Sequence, residues 1–522
     1  MKTNIAELPV TASYLPKVFA RTGNYDRVES LLKAIRDIEQ AEHITLHPFI
    51  FDLARLEWTL HKVDREHNPG PEHQHCPEVN PTLEILSSAW SGLPEMLAGN
   101  RTSVQPGEGY VAVCKPYGKQ RASALKITGH DLLAIKLVAE DLDKRAVAQE
   151  GGTSIAVVES FLAEARDKGL IHLPRPLIKR DGEIFKAEDE AQSQNGLYAE
   201  IFTLQWHVTQ KCDLSCRHCY DRSGRDEMTI GQAESVLEQF ESFCEHKRVA
   251  GQISFSGGNP LLYSHFDHVY QKAAEMGFMI AILGNPSPRE QLEKLVAIKR
   301  PEFIQVSLEG LKEHNDYIRG KGHFEKTIDF LTMLREVGVY SMVMLTLTRH
   351  NLKEVLPLAE LLRDKTNLFN FNRLSPVGEG AALETVPTHD YRDFLEEYMR
   401  AAGENPIMGL KDNLFNIIRD EDDLALTGGC TGFGCGAAFN FVSLLPDGEV
   451  HACRKFPSLI GNIHDSSLEE IYHSEMAGKY RNGSSGCNGC RVRRFCGGCL
   501  AVVQGSGGDP FIDIDPYCFI SA

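Results

Sequence analysis

Apolar positions change their period twice along the chain. Phe49, Leu53, Leu56, Leu60 and Val63 recur at helical spacing, and residues 20–65 read as helices. A Pro- and His-rich loop, His67 to Pro81, follows, and a further helix is predicted from about Pro81 to Leu97. Tyr110–Cys114 and Ala124–Ile127 read as short strands. Helical patterns follow at His130–Leu142, Arg145–Gln149 and Ile155–Lys168; Gly169 ends the last, and Leu170–Leu173 resumes as strand. Glu188–Gly196 is polar and reads as a linker. Beyond it, Leu204–Val208, Gln252–Ser256, Met279–Leu283, Phe303–Ser307, Met342–Leu347 and Phe369–Leu374 are candidate strands separated by helical segments of roughly ten residues or more. Six strands with crossover helices predict a parallel sheet. Six falls short of a closed eight-stranded barrel, so the expected fold is α/β, a partial (β/α)6 barrel open to a large substrate at its side. From Thr427 onward Gly and Cys dominate and long periodic segments are few, so this region needs staples other than an apolar core.

Composition narrows the function. A chain of 522 residues predicts three or four domains, at about 100–200 residues each. The net charge of −17 excludes a general nucleic-acid binder, which needs a basic face, and argues against an anionic membrane surface. No run approaches about 18 consecutive apolar residues, and Met1 to Pro16 has no signal-type apolar core. The expectation is a cytoplasmic protein with no membrane partner. Disulfides are rare there, so fourteen cysteines need another explanation. Eleven of them fall into two tight groups.

The first group follows the first barrel strand: Lys-Cys212-Asp-Leu-Ser-Cys216-Arg-His-Cys219-Tyr. Thiolates are the usual ligands of iron–sulfur clusters, and CxxxCxxC lets one loop wrap a cube while leaving one iron open to a substrate or cofactor. A zinc site normally takes a CxxC pair and four closed ligands. Further along, Ser256-Gly257-Gly258-Asn259-Pro260, Gly284-Asn285-Pro286, Val306-Ser307-Leu308-Glu309-Gly310 and Arg319-Gly320-Lys-Gly322 end strands or open the next segment. Ligands of parallel sheets bind at such strand ends.

Over about Gln205 to Gly380 these motifs resemble the radical S-adenosylmethionine (SAM) superfamily. The resemblance implies a 4Fe–4S cluster on Cys212, Cys216 and Cys219, whose open iron chelates SAM. It implies SAM contacts from Tyr220, with His218 nearby, from the backbone of Gly257, Gly258, Asn259 and Pro260, and from Asn285, Ser307 and Arg319. Asn259 stands where the family has an acidic residue, which leaves the backbone role but removes a charge. The reaction implied is one-electron cleavage of SAM to methionine and a 5′-deoxyadenosyl radical, which abstracts hydrogen from an unactivated carbon.

The second group comprises Cys430, Cys435, Cys453, Cys487, Cys490, Cys496, Cys499 and Cys518. Eight thiolates suffice for two closed 4Fe–4S clusters, or for two structural zinc sites. Their order over roughly Gly429 to Phe519 resembles the SPASM domain of radical SAM peptide maturases. The resemblance implies one auxiliary cluster on Cys430, Cys435, Cys453 and Cys499 and another on Cys487, Cys490, Cys496 and Cys518, hence three clusters with the SAM-binding one. The last CxxC is one residue tighter than the common CxxxC.

The N-terminal third faintly resembles, in Asp52–Trp58 and Asn80–Leu86, the helical partner proteins of peptide-modifying enzymes. Its strand–three helices–strand order is that of a winged helix and resembles the leader-recognition element fused to many such maturases, which binds an extended leader by strand addition. The expected organisation is therefore residues 1–100 helical and partner-like, 101–190 winged-helix, 198–385 radical SAM, 386–428 connecting and 429–522 SPASM. The implied product is a thioether or C–C crosslink or ring on a ribosomally made precursor peptide, with a flavodoxin or ferredoxin as electron donor; the long N-terminal region together with the full cysteine set resembles the thio(seleno)oxazole maturases. Two rivals stay open: a sulfatase-type maturase forming formylglycine, and a non-catalytic iron–sulfur peptide scaffold. His67, His73, His75 and Cys76 share a loop and could bind a metal, though a mobile loop explains them as well. Cys114 and Cys244 read as core. Glu309, Arg373 and Arg454 are expected near the cavity without an assigned catalytic role.

Overall fold

The computed structural model describes the chain except residues 1–2, 5–6, 16–23, 42, 69–75, 101–102, 152–154, 186–196 and 521–522. It divides into two compact units, Met1–Arg175 and Pro176–Ala522.

The first unit is built around an antiparallel three-stranded sheet of Glu84–Ser91, Gln105–Cys114 and Ser123–Ile127. Side chains of a strand alternate between faces, and here both faces are apolar. Val111 and Val113 pack with Leu53, Leu56 and Val63 of the helix Phe49–Asp64. Ala112 and Cys114 pack with Ala134, Leu137, Val158 and Leu162, from the helices Gly129–Ala139 and Ile155–Asp167. The helix expected over Pro81–Leu97 is instead the strand Glu84–Ser91 followed by the short helix Leu93–Leu97. Leu86 and Trp90 lie four apart, a spacing that suits one face of either element, and pairing with Gln105–Cys114 decides it. A bulge between Ser88 and Trp90 is satisfied by Asp52, which accepts from the Ala89 amide at 2.9 Å. The strands and helices expected over residues 110–173 are present, the last strand as Ile171–His172.

The second unit carries a nine-stranded sheet. Its strands are β1 (Ile201–Thr209), β2 (Ala250–Gly257), β3 (Met279–Leu283), β4 (Phe303–Ser307), β5 (Ser341–Leu347), β6 (Leu368–Arg373), β7 (Phe441–Leu444), β8 (Glu449–His451) and β9 (Leu459–Asn462). Their spatial order is β6-β5-β4-β3-β2-β1-β7-β8-β9. Strands β1 to β7 pair in parallel, and β8 and β9 are antiparallel. The six parallel strands read from the sequence are present. Their crossovers run through helices such as α1 (Ile230–Lys247) and α2 (Phe266–Glu275). Thr229 and Gln232 form a capping box that fixes the start of α1.

Sequence patterning missed β7 to β9. In β7, four residues of the Gly- and Cys-rich region add to the free edge of β1, with Val442 opposite Leu204. The C-terminal region therefore shares one apolar core with the parallel sheet, from Phe202 and Trp206 to Val442, Ile471 and Tyr517.

Candidate active site and auxiliary cysteine sites

The loop after β1 carries Cys212, Cys216 and Cys219, at the strand ends of the parallel sheet. All three line a cavity of about 730 Å³, together with Tyr220, Gly257, Gly258, Asn285, Ser307 and Arg319. The two glycines let β2 close on the cysteine loop. A Cβ at Gly257, whose φ is +132°, would lie 2.1 Å from the Thr209 carbonyl oxygen, and one at Gly258 would lie 2.2 Å from that of Lys211. The amides of Gly258 and Asn259 donate to those same carbonyls at 2.9 and 2.7 Å.

Asn259 and Pro260 are buried and do not line the cavity. The Asn259 amide donates to Asp213 Oδ1 at 3.1 Å, and Asn285 donates to the same oxygen at 2.6 Å and lies 3.6 Å from Cys212 Sγ. Asp213 inside the cysteine motif thus takes both amides. Its place between two of the cysteines was the only sequence signal for it.

Glu309, left without a role by its sequence, is a buried hub. Arg319 donates to its Oε1 from Nε at 2.9 Å and from Nη2 at 2.6 Å, His218 Nε2 stands 2.8 Å from that oxygen, and the Thr346 amide donates to Oε2 at 2.7 Å. Burial alone would raise this carboxyl; the charges of His218 and Arg319 outweigh it and hold it down at about 2. Arg319 keeps Nη1 for Cys216, 3.7 Å from the sulfur. Tyr220 hydrogen-bonds His207 at 3.3 Å, and burial pushes its hydroxyl up to about 12. Arg454 lies over the Tyr220 ring, 5.9 Å from its centroid, and donates to Ser256 at 3.2 Å. Arg225 ties the loop to the β7–β8 hairpin through Asp447 and Glu449.

The eight C-terminal cysteines gather in two places. Cys430, Cys435, Cys453 and Cys499 line one small cavity of about 50 Å³, with Lys411, Asp412 and Phe456. Cys487 lies within electrostatic reach of Cys490, Cys496 and Cys518, and Cys490 of Cys518. Burial pushes the thiols of Cys453 and Cys487 up to about 11 and that of Cys435 to about 12. As free thiols they hold their protons at neutral pH, whereas a bound metal takes the thiolate. The donor sets fit iron–sulfur clusters: three thiols facing a large cavity at one site, four thiols around a small one at another. Asn372, Arg373 and Lys455 line both cavities. Arg373 is buried in ion pairs with Asp412 and Asp515, each at 2.8 Å, and Asp515 also accepts from the Cys499 amide at 2.8 Å.

Cys114 and Cys244 are buried core residues, and burial pushes the Cys114 thiol up to about 11. His67 and Cys76 are exposed, and His73 and His75 lie outside the described residues. Among the described residues no helix is long and apolar enough to cross a membrane.

Comparison with known proteins agrees with this geometry. Residues 206–362 match the Radical SAM superfamily, and residues 435–494 match SPASM, an iron–sulfur cluster-binding domain. The chain is 27% identical over 343 residues to the AdoMet-dependent heme synthase of Methanosarcina barkeri, covering 60% of this chain and 95% of that protein. It is 29% identical over 347 residues to the mycofactocin maturase of Mycolicibacterium smegmatis, covering 63% and 84%. It is 26% identical over 311 residues to the antilisterial bacteriocin subtilosin biosynthesis protein of Bacillus subtilis, covering 56% and 66%. The protein is an enzyme that carries a radical SAM domain. Its radical SAM domain is followed by a SPASM domain, so that SAM and 4Fe–4S clusters are its cofactors.

Proposed function

We propose that this enzyme modifies a ribosomally made precursor peptide, installing a thioether or C–C crosslink or ring. The observation that carries the reading is the cavity of about 730 Å³ at the strand ends, with Cys212, Cys216 and Cys219 in its wall and with Arg373 and Lys455 shared with the four-cysteine site. It is large enough for SAM and a peptide segment together. Two of the relatives are named for maturation and for bacteriocin biosynthesis. The six consecutive parallel strands, β1 to β6, support a partial barrel whose side receives the substrate.

Bound SAM and its cluster supply a 5′-deoxyadenosyl radical. The chain's residues position the reactants and exclude water. Cys212, Cys216 and Cys219 would hold the cluster, and Gly257, Gly258, Asn285, Ser307, Arg319 and Tyr220, which line the cavity, would contact SAM, with buried Asn259 and Pro260 fixing the backbone of that turn. Glu309 fixes Arg319 beside Cys216. Cys430, Cys435, Cys453 and Cys499 hold one auxiliary cluster, and Cys487, Cys490, Cys496 and Cys518 a second, giving three in all. Their grouping in space supports this division. The first unit, Met1–Arg175, serves peptide recognition and acts on the leader. A flavodoxin or ferredoxin supplies electrons in the cytoplasm.

The M. barkeri relative favours a second reading, in which the substrate is a tetrapyrrole. One experiment separates them. Reconstituted enzyme, SAM and dithionite are incubated with peptides encoded by short reading frames beside this gene, and in parallel with a haem precursor. Loss of two hydrogens from a peptide, located by tandem mass spectrometry, supports maturation. Turnover of the tetrapyrrole with every peptide unchanged would overturn it.

A further inference from the structure

The two four-cysteine sites resemble each other in their hydrogen bonds and differ in their charge. At the first, backbone amides of Ala437 and Lys455 reach Cys435 and Cys453; at the second, those of Gly498 and Ile520 reach Cys496 and Cys518. Each site thus has two sulfurs that accept a main-chain hydrogen bond.

The charges around them are unequal. Lys411 and Lys455 line the first cavity. Among the described residues neither has a carboxylate within ion-pair distance: Lys411 Nζ donates only to the amide oxygen of Asn372, at 3.3 Å. Of the other cations of the neighbouring large cavity, Arg454 likewise lacks a carboxylate among the described residues and donates to Ser256, but the rest are paired. Lys211 is paired with Glu227, Arg225 with Asp447 and Glu449, Arg319 with Glu309, and Arg373 with Asp412 and Asp515. In a chain of net charge −17, two adjacent uncompensated lysines at one spot are a local excess of positive charge. The second site is closer to balance. Asp515 acts on Cys487, Cys496 and Cys518, and Asp412 on Cys496; Arg493 opposes them at Cys487 and Cys490, Arg373 at Cys518, and Arg491, itself paired with Asp420, at Cys490, so that this site has carboxylates to offset its cations and no pair of lysines. Asp515 also touches the first site, through the Cys499 amide, but there Lys455 and Arg373 oppose it.

An iron–sulfur cluster gains one negative charge on reduction, so nearby positive charge raises its reduction potential and negative charge lowers it. We propose that Lys411 and Lys455 make the cluster of the first site the higher-potential one of the auxiliary pair, so that an electron entering the pair rests at the site that shares Arg373 and Lys455 with the SAM cavity. This rests on the assignment of clusters to both cysteine sets.

The test is an EPR-monitored redox titration of the anaerobically reconstituted full-length protein. The Cys487→Ala/Cys490→Ala variant identifies the signal of the first site by removing that of the second. Neutralising either lysine, Lys411→Met or Lys455→Met, is expected to lower the first site's reduction equilibrium by about tenfold, about 59 mV for a one-electron couple, with the second site moved less. Lys411→Arg and Lys455→Arg keep the charge and are expected to keep the potential. A wild-type protein in which the second site is the higher, or lysine variants that leave the first site's potential unchanged, would overturn the ordering while leaving the clusters in place. Iron for a single cluster in the same preparation would overturn the cluster assignment and the ordering with it.

Discussion

Around Cys212, Cys216 and Cys219 opens a cavity of about 730 Å³, whereas Cys430, Cys435, Cys453 and Cys499 surround about 50 Å³. Both sites use thiols from loops, yet they differ in their surroundings. The open site is caged by polar groups that fix direction: Asp213 holding two amides, Glu309 holding Arg319. The closed site has one more cysteine and two lysines without a carboxylate. Three ligands facing space can share their metal with a cofactor; four ligands around little space cannot. On the proposed assignment, that difference separates making a radical from storing an electron.

The sharpest way to break that contrast is at the open site. Replacing Cys212, Cys216 and Cys219 together by Ala is expected to abolish 5′-deoxyadenosine release, measured by chromatography, and to leave the auxiliary clusters' iron bound. Retained cleavage would sink the assignment. Replacing Cys490 by Ala acts on the other side: SAM cleavage is expected to persist while peptide modification stops, and an unchanged product would make that site merely structural.

Smaller effects sharpen the account of the polar cage. Glu309→Gln leaves Arg319 and His218 without their carboxylate, and breaking a buried ion pair costs about 3–5 kcal/mol; a thermal-unfolding midpoint unchanged from wild type would contradict the hub. The same carboxyl sets a pH dependence. Its folded value of about 2 lies below the ordinary 4.5, so the stability it contributes is fully present above pH 4.5 and is lost as the pH falls through 2. Glu309→Gln is expected to flatten acid unfolding across that window. The smallest effect belongs to a cysteine of neither site. Cys114→Ala, in the first unit's core, is expected to cost on the order of 1 kcal/mol and to leave the iron content unchanged.

How far the sequence could be read follows from the range of the interactions involved. Several parallel strands announce themselves because their centres are buried on both faces and read as short apolar runs, Ile280–Ile282 or Val343–Leu345, with a motif at the end. The cysteine loop and the Gly257–Gly258 turn lie within a few residues of such ends, so their chemistry was legible. Strand β7 was not: Phe441–Leu444 is four residues long, and what makes it a strand is the edge of β1, more than two hundred positions earlier. Glu84–Ser91 was misread because Leu86 and Trp90 satisfy both periods and only pairing chooses. Asp213, Glu309 and Lys411 carry ordinary surface chemistry in sequence; their partners come from other strands and loops, and only the fold brings them together.

Everything proposed here depends on clusters at both the open and the closed cysteine sites and on SAM cleavage at the open one. Iron and sulfide content after anaerobic reconstitution, with 5′-deoxyadenosine release assayed under dithionite, tests it most directly. The account predicts about twelve irons, three 4Fe–4S clusters, together with release. About four irons with tightly bound zinc would leave the radical SAM site standing but contradict the account of the C-terminal cysteines and remove the electron store from the mechanism.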